Sequence, residues 1–324
     1  MNLGVILPTT KLYGGVKRFL ELGNIFIEMG HNFTVYTNEG VAPTWFDFKG
    51  ETKTFAYLKL DKIDALFTTE TGFVDLLVNS NAKRRIVYHV RIKEDLRPFL
   101  KHDNIEVFAC STNIHIHDKK KYKIDTFEAY GGINLANYHP KTDYSVNNRP
   151  FIVMAYGRLS QMVKGTRFIV RACESLYRSG YNIRMLLYDT AVDERAQKLI
   201  DNFKAKVPFD FVQNHPFDKN SELFNRADIF VSAEGHAGWA NSVCEAMACA
   251  LPVIATGAGS KDFLFDNETG LRTHRWSFLI RNKIKRLIKD RTLRERLGHN
   301  ARRKIENFDW HELAKKIIIH LENT

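Results

Sequence analysis

No apolar run in this 324-residue chain approaches the roughly 20 residues that a membrane-spanning helix needs. The four cysteines are scattered, and Cys244 and Cys249 share a segment without the spacing of zinc ligands. Reduced, buried thiols in a cytoplasmic protein are therefore expected. The sequence has no Asp-x-Asp pair for a catalytic metal, no internal repeat, no low-complexity tract and no lipidation motif. Its first residues, MNLGVILPTT, lack a basic leader and a cleavage site, so no signal peptide is expected. Acidic charge is in deficit: 37 Asp and Glu face 48 Lys and Arg, a net +11. Such a surface suits an anionic partner, but charge alone does not choose one. The basic segments lack interleaved aromatic residues and any recognition motif, which sets nucleic acid aside.

What is present is a repeated alternation of short apolar runs and amphipathic stretches. Leu3–Pro8 reads as a first buried strand, and Gly14-Gly15 as the turn that ends it. A helical pattern over 17–30 and a strand at 33–37 follow. That order predicts a right-handed parallel α/β unit. Further strands fit 65–68, 85–89 and 106–111. The polar, turn-rich stretch 140–150 reads as a linker. A second series begins at Phe151, with strands at 183–188, 209–213, 229–232 and 252–255. An amphipathic helix closes the chain. Predicted domains span 1–145 and 146–308, with 309–324 a terminal helix.

The richest stretch runs from Asp228 to Leu271. A strand ends in a loop containing Glu234, His236 and Trp239, and a helix opens near Asn241-Ser242, with Glu245 in its first turn. The next strand ends in Thr256-Gly257-Ala258-Gly259-Ser260. Glycine turns and helix N-termini at one sheet edge offer backbone N–H groups to an anion such as a diphosphate. A carboxylate there suits neighbouring hydroxyls, such as a ribose diol.

Glu245-Ala246-Met247-Ala248, Leu251-Pro252-Val253 and the turn Gly257–Gly259 resemble the nucleotide-sugar site of glycosyltransferase family 4, retaining enzymes of GT-B fold. Gly157-Arg158 and Lys164-Gly165 resemble the same family's basic signature. The resemblance implies two Rossmann-like parallel-sheet domains facing a central cleft. It implies that Arg158 and Lys164 stabilise charge on the leaving diphosphate in place of a metal, that Glu245 binds the ribose beside Ser242, and that Gly14, Gly15, Gly157, Gly257 and Gly259 let backbone approach the donor. His89 would face the reacting sugar. The chain departs from the pattern at Ala237, where the family has a first Glu. Either Glu234 takes that role or it is vacant. After the strand at 183–187 the family has Gly-x-Gly, and this chain has Tyr188-Asp189-Thr190, so that edge of the pocket is bulkier. The segment 212–216 would border a uracil or guanine base.

The implied function is transfer of a hexose-type sugar from a nucleotide diphosphate donor to a hydroxyl on a glycan or lipid-linked acceptor, with retention and without cofactor or metal. Polysaccharide biosynthesis is the implied setting. Alternatives are a nucleotide-sugar epimerase or hydrolase of the same fold, and a non-catalytic nucleotide-sugar-binding protein. The basic stretches Lys119–Lys123 and Arg281–Lys304 read either as solvated faces or as a peripheral attachment to anionic membrane.

Overall fold

Apolar and β-branched runs bounded by turn formers become strands in the computed structural model, which describes residues 1–323. The chain divides into two compact units, Met1–Gly132 with Phe308–Thr324, and Ile133–Asn307. In the first unit the order is β1 (Asn2–Ile6), α1 (Gly14–Glu28), β2 (Asn32–Thr37), β3 (Glu51–Thr54), β4 (Ile63–Thr68), α2 (Val74–Val78), β5 (Ala82–His89), β6 (Ile105–Ala109), α3 (Thr112–Tyr122) and β7 (Phe127–Glu128). The strands form one parallel sheet in the order β3-β2-β1-β4-β5-β6-β7. Helix α1 turns Phe19, Leu20, Leu22 and Phe26 into the core. On the sheet, Ile6, Leu66 and Val87 pack in a cluster with Leu96 and Phe99.

In the second unit come β8 (Phe151–Tyr156), α4 (Thr166–Arg178), β9 (Ile183–Asp189), α5 (Glu194–Asp201), β10 (Phe209–Gln213), α6 (Asn220–Asn225), β11 (Ile229–Ser232), α7 (Asn241–Ala248), β12 (Val253–Ala255), β13 (Leu271–Arg272), α8 (Ser277–Lys289) and α9 (Arg291–Ile305). The parallel sheet is ordered β10-β9-β8-β11-β12-β13. Numbered within the unit this is 3-2-1-4-5-6, the Rossmann order, whose direction reverses between its first and fourth strands. Helices α4 and α8 pack together over one face and bury Ile169, Cys173, Leu176, Ile280, Ile284 and Leu287 in a shared core. The chain then returns to the first unit as α10 (Trp310–Asn323). All four cysteines are buried and outside any disulfide, Cys110 in the first unit and Cys173, Cys244 and Cys249 in the second.

The stretch 140–150 is not the boundary that its turn-forming composition suggested. The units part at Gly132 and Ile133, and this stretch is bound tightly to the second. The Lys141 amide donates to the Cys249 carbonyl at 2.8 Å, and the Tyr144 hydroxyl to the Ala250 carbonyl at 2.7 Å. Arg149 forks onto Asp228, with both nitrogens 2.7 Å from a carboxylate oxygen. Asp228 also accepts from the Ile152 amide at 2.8 Å. Irregular backbone and absent contacts are different properties, and composition reports only the first.

Asp228 is 1% exposed, so its removal strands the Arg149 guanidinium and the Ile152 amide. Arg149 is 37% exposed at its side chain, and solvent screens part of the loss. Asp228→Ala is therefore expected to cost near the lower end of the ~3–5 kcal/mol typical of a broken buried pair. A lowered urea midpoint at unchanged slope checks this.

Candidate functional site

The reversal of strand order in the second unit falls between β8 and β11, and the crossovers there leave in opposite directions. The carboxyl ends of these strands therefore stand uncovered, the place where α/β sheets hold ligands. Arg158 follows β8 directly, and Lys164 ends a 3-10 turn, Met162–Lys164, in the same loop. Glu234 follows β11. Lys164 donates an ion-paired hydrogen bond to Glu234 across this junction. The loops approach so closely that a Cβ on Gly165 would lie 2.1 Å from the Ala233 carbonyl oxygen; Gly165 also has φ +72°. The Gly235 amide completes the joint by donating to the Val163 carbonyl at 2.8 Å.

Tyr156 stands between the two cations. The Arg158 guanidinium lies 5.2 Å from its ring centroid and the Lys164 Nζ 5.8 Å. Arg158 is 5% exposed. Its Nε donates to Asp189 at 2.9 Å, and its terminal nitrogen to the Tyr156 hydroxyl. Burial pushes the Asp189 carboxyl above the usual carboxylate range, with Arg158 pulling against it. The phenol of Tyr156 is raised too, first by burial and then by the charge of Asp189. Thus Asp189, which the sequence marked only as a bulkier pocket edge, fixes the orientation of Arg158.

The β12 turn joins the same assembly. The Thr256 hydroxyl donates to the Glu234 carbonyl at 2.6 Å. The Ala240 amide donates to the Gly259 carbonyl at 2.9 Å, which sets the start of α7 against the glycine turn. Ser242 lies in the first turn of α7. Glu245 is the fifth residue of that helix, beyond the first turn where the sequence reading put it. It is 6% exposed. The buried Tyr188 phenol is raised by burial and next by the charge of the Glu245 carboxylate. At Gly257 an added Cβ meets only the ends of flexible side chains, Arg272 and Lys261. Gly157 instead abuts Phe211 and the Tyr188 carbonyl, so an added Cβ would clash there. At Ala237 the Cβ sits 2.8 Å from the position a Gly259 Cβ would take. The residue without a carboxylate thus lies against the turn, while Glu234 holds Lys164.

Within the first unit the outcome differs. Gly14 and Gly15 do not end β1; residues 7–13 intervene, and the two glycines form the first positions of α1. His89 ends β5 and is 0% exposed. Its Nδ1 bonds the Asp118 carboxylate at 2.8 and 2.9 Å, and its Nε2 the Arg91 carbonyl at 2.6 Å. Both ring nitrogens are thus engaged inside the unit. Arg18 donates to the Tyr88 hydroxyl at 2.6 Å and lies over the Tyr88 and Trp310 rings.

A cavity of about 280 Å³ opens beside α4, lined by Arg158, Met162, Gly165, Arg167, Arg171 and neighbours. Lys164, Glu234 and Glu245 do not line it, so it flanks the junction on the side of Arg158 and Gly165.

Two Rossmann-type parallel sheets in one chain are the architecture of the GT-B proteins. Residues 141–304 match the family model of glycosyl transferases group 1, just over half of the chain, and the chain belongs to that family. It is 27% identical over 227 residues to the capsular polysaccharide biosynthesis glycosyltransferase CapM of Staphylococcus aureus, a match covering 63% of this chain and 59% of CapM. This chain therefore spans less than two thirds of that relative. Among solved structures, sucrose-phosphate synthase from Thermosynechococcus elongatus superposes with a TM-score of 0.83 at 17% identity, covering 99% of this chain and 98% of that one. HepE of Anabaena in complex with UDP-glucose gives 0.79 at 15% identity, with full coverage of both. At these identities the likeness is one of fold.

The two kinds of glycine make opposite predictions. Gly259 has φ +66°, and its added Cβ would meet Ala237 and the Ala240 amide nitrogen at 2.8 and 2.9 Å. Gly259→Ala should cost at least the ~1–2 kcal/mol of left-handed backbone. Gly15 has nothing within 4 Å of an added Cβ and sits in a helix, so Gly15→Ala should gain about 0.5–1 kcal/mol. Thermal denaturation of the two variants reads both signs.

Proposed function

We propose that the chain moves a hexose-type sugar from a nucleoside-diphosphate-sugar to a hydroxyl of a glycan or lipid-linked acceptor. The reaction retains the anomeric configuration, uses no metal, and serves the assembly of a glycan or envelope polysaccharide in the cytoplasm. One observation carries this reading: Arg158, Lys164 and Glu234 converge at the strand-order reversal of a Rossmann sheet. The name of CapM and the UDP-glucose held by HepE support the donor class and the setting.

In this reading the diphosphate enters where Lys164 now meets Glu234 and takes Lys164 from it. The freed carboxylate turns to the donor sugar. Arg158, already oriented by Asp189, needs little reorganisation as negative charge develops on the leaving phosphate. Glu245 accepts from the ribose hydroxyls. The glycine turn at 257–259 and the first amides of α7 supply N–H donors. No side chain is assigned as a covalent nucleophile. The acceptor attacks from the face the leaving group departs, and a phosphate oxygen takes its proton.

Arg158→Ala or Lys164→Ala should slow transfer by about two to three orders of magnitude, the usual loss for one preorganised electrostatic stabiliser. Turnover of UDP- and GDP-sugars in the presence of a chelator measures this. Near-normal rates in both variants would sink the assignment, and a rate abolished by the chelator would sink metal independence. Separately, Glu245→Ala should weaken nucleotide binding, and a 2′,3′-dideoxy nucleotide should discriminate against the parent protein more than the variant. Binding of donor without turnover on a broad acceptor panel would favour the reading suggested by Ala237, a protein that only binds nucleotide-sugars.

A further inference from the structure

Helices α4 and α8 leave a surface whose composition neither the core nor the candidate site explains. Three arginines lie on α4 and five cations on α8, against a single carboxylate, Glu174. Lys283 and Arg286 turn aside to Asp266 and Asn267. The other six, Arg167, Arg171, Arg178, Arg281, Lys285 and Lys289, are exposed or half-exposed. Large apolar side chains stand out among them: Trp276 is 63% exposed, Phe278 60%, Met162 66% and Tyr177 43%.

Several contacts tie this surface together across the two helices. The Trp276 and Phe278 rings lie 6.5 Å apart. Arg275 stacks over Phe168 of α4 at 5.3 Å and donates to the Met162 carbonyl at 2.8 Å. Further along, Arg281 reaches Ser179 at 3.3 Å, and Lys285 lies 5.9 Å from the Tyr181 ring. Two 13-residue helices give this face a length of about 20 Å at the α-helical rise. On α8, Phe278, Arg281 and Lys285 share one side by their i, i+3 and i+7 spacing, and Ile280, Ile284 and Leu287 take the other.

We infer that this face docks the protein on an anionic phospholipid surface. The cations match the charge of the headgroups, each worth about 1 kcal/mol near such a surface. Trp276 suits the headgroup level, and Phe278 and Met162 suit the apolar layer beneath it. A saccharide would be a poor occupant, because neither Phe278 nor Met162 offers a hydrogen bond. Among the described residues no helix is long and apolar enough to cross a membrane, so the attachment is peripheral and reversible. The surface differs from the one read in the sequence. There the run Arg281–Lys304 stood for a basic face, yet Arg294 in α9 is 4% exposed and donates to the Leu287 and Tyr144 carbonyls. Arg302 likewise donates to the Tyr138 and Ala248 carbonyls. The face uses α8 and, in place of α9, α4. None of its six cations is among the residues assigned to the donor, so the inference stands apart from the transfer reading.

The test is co-sedimentation with vesicles of phosphatidylcholine alone or mixed with phosphatidylglycerol, at low and physiological salt, with tryptophan emission followed in parallel. Binding is expected only to the mixed vesicles, weakening as salt rises, with a blue shift in emission. Replacing Arg178, Arg281 and Lys285 together by Ala should weaken binding roughly a hundredfold, about 1 kcal/mol per charge. Trp276→Ala with Phe278→Ala should abolish the blue shift. Unchanged thermal midpoints establish that the variants are folded, and the aromatic pair serves as the second variant should the triple one fail. Replacing Lys119, Lys120 and Lys121 by Ala is expected to leave most binding in place. The inference is overturned if the protein stays in the supernatant at low salt, or if the α3 lysines rather than the α4–α8 cations control binding. A blue shift produced equally by soluble dextran sulfate would also overturn it, by marking the face as a polyanionic glycan site.

Discussion

The reversal of strand order between β8 and β11 is the constraint on which the candidate site depends. Elsewhere in the sheet successive crossovers leave in the same direction. At the reversal two neighbouring ends are left bare, and whatever follows them in sequence must face each other. The chain places a basic loop after β8 and an acidic one after β11, and the electrostatic pairing of Lys164 with Glu234 follows from that topology. Small residues then decide how near the loops come. Gly165 rests on the Ala233 carbonyl, and Gly259 on Ala237 and the start of α7. A side chain at either position would open the junction.

Three ion pairs in the second unit each join a cation to a buried carboxylate. Arg158 meets Asp189, Lys164 meets Glu234, and Arg149 meets Asp228. A buried ion pair adds little net stability, but it fixes geometry, because either partner alone would be costly. Two of these pairs hold cations in place before any ligand arrives. The uncompensated part of the net +11 is correspondingly left to surfaces, and α4 with α8 carries a large share of it.

Most of the fold was legible because buried parallel strands are continuous apolar runs. The strands at 209–213 and 229–232 were read to the residue. The strands missed lack that signal. β3 is Glu51-Thr52-Lys53-Thr54, a polar strand at the sheet edge, and β7 and β13 are two residues each. The start of α7 was read near Asn241, as found, but Glu245 is its fifth residue and so lies past the first turn. Within the candidate site, motif spacing singled out Arg158 and Lys164, and Glu234 only as the carboxylate nearest the departure at Ala237, but it did not show which charges pair. Asp189 lies 31 residues from Arg158 and Glu234 lies 70 from Lys164, and spacing along a chain does not encode which distant charges meet. His89 shows the same limit: Asp118, which occupies its Nδ1, sits 29 residues away on another element.

The buried thiols have a use of their own. Burial pushes the Cys249 thiol up to about 12 and that of Cys173 higher still, so neither offers a reactive thiolate while its surroundings are closed. A thiol-directed label added to the intact protein would therefore modify these residues only as fast as the structure around them breathes. Cys110 belongs to one unit and Cys173, Cys244 and Cys249 to the other. The mass of each labelled peptide over time thus clocks the opening of the two halves separately, with the natural sequence as its own reporter.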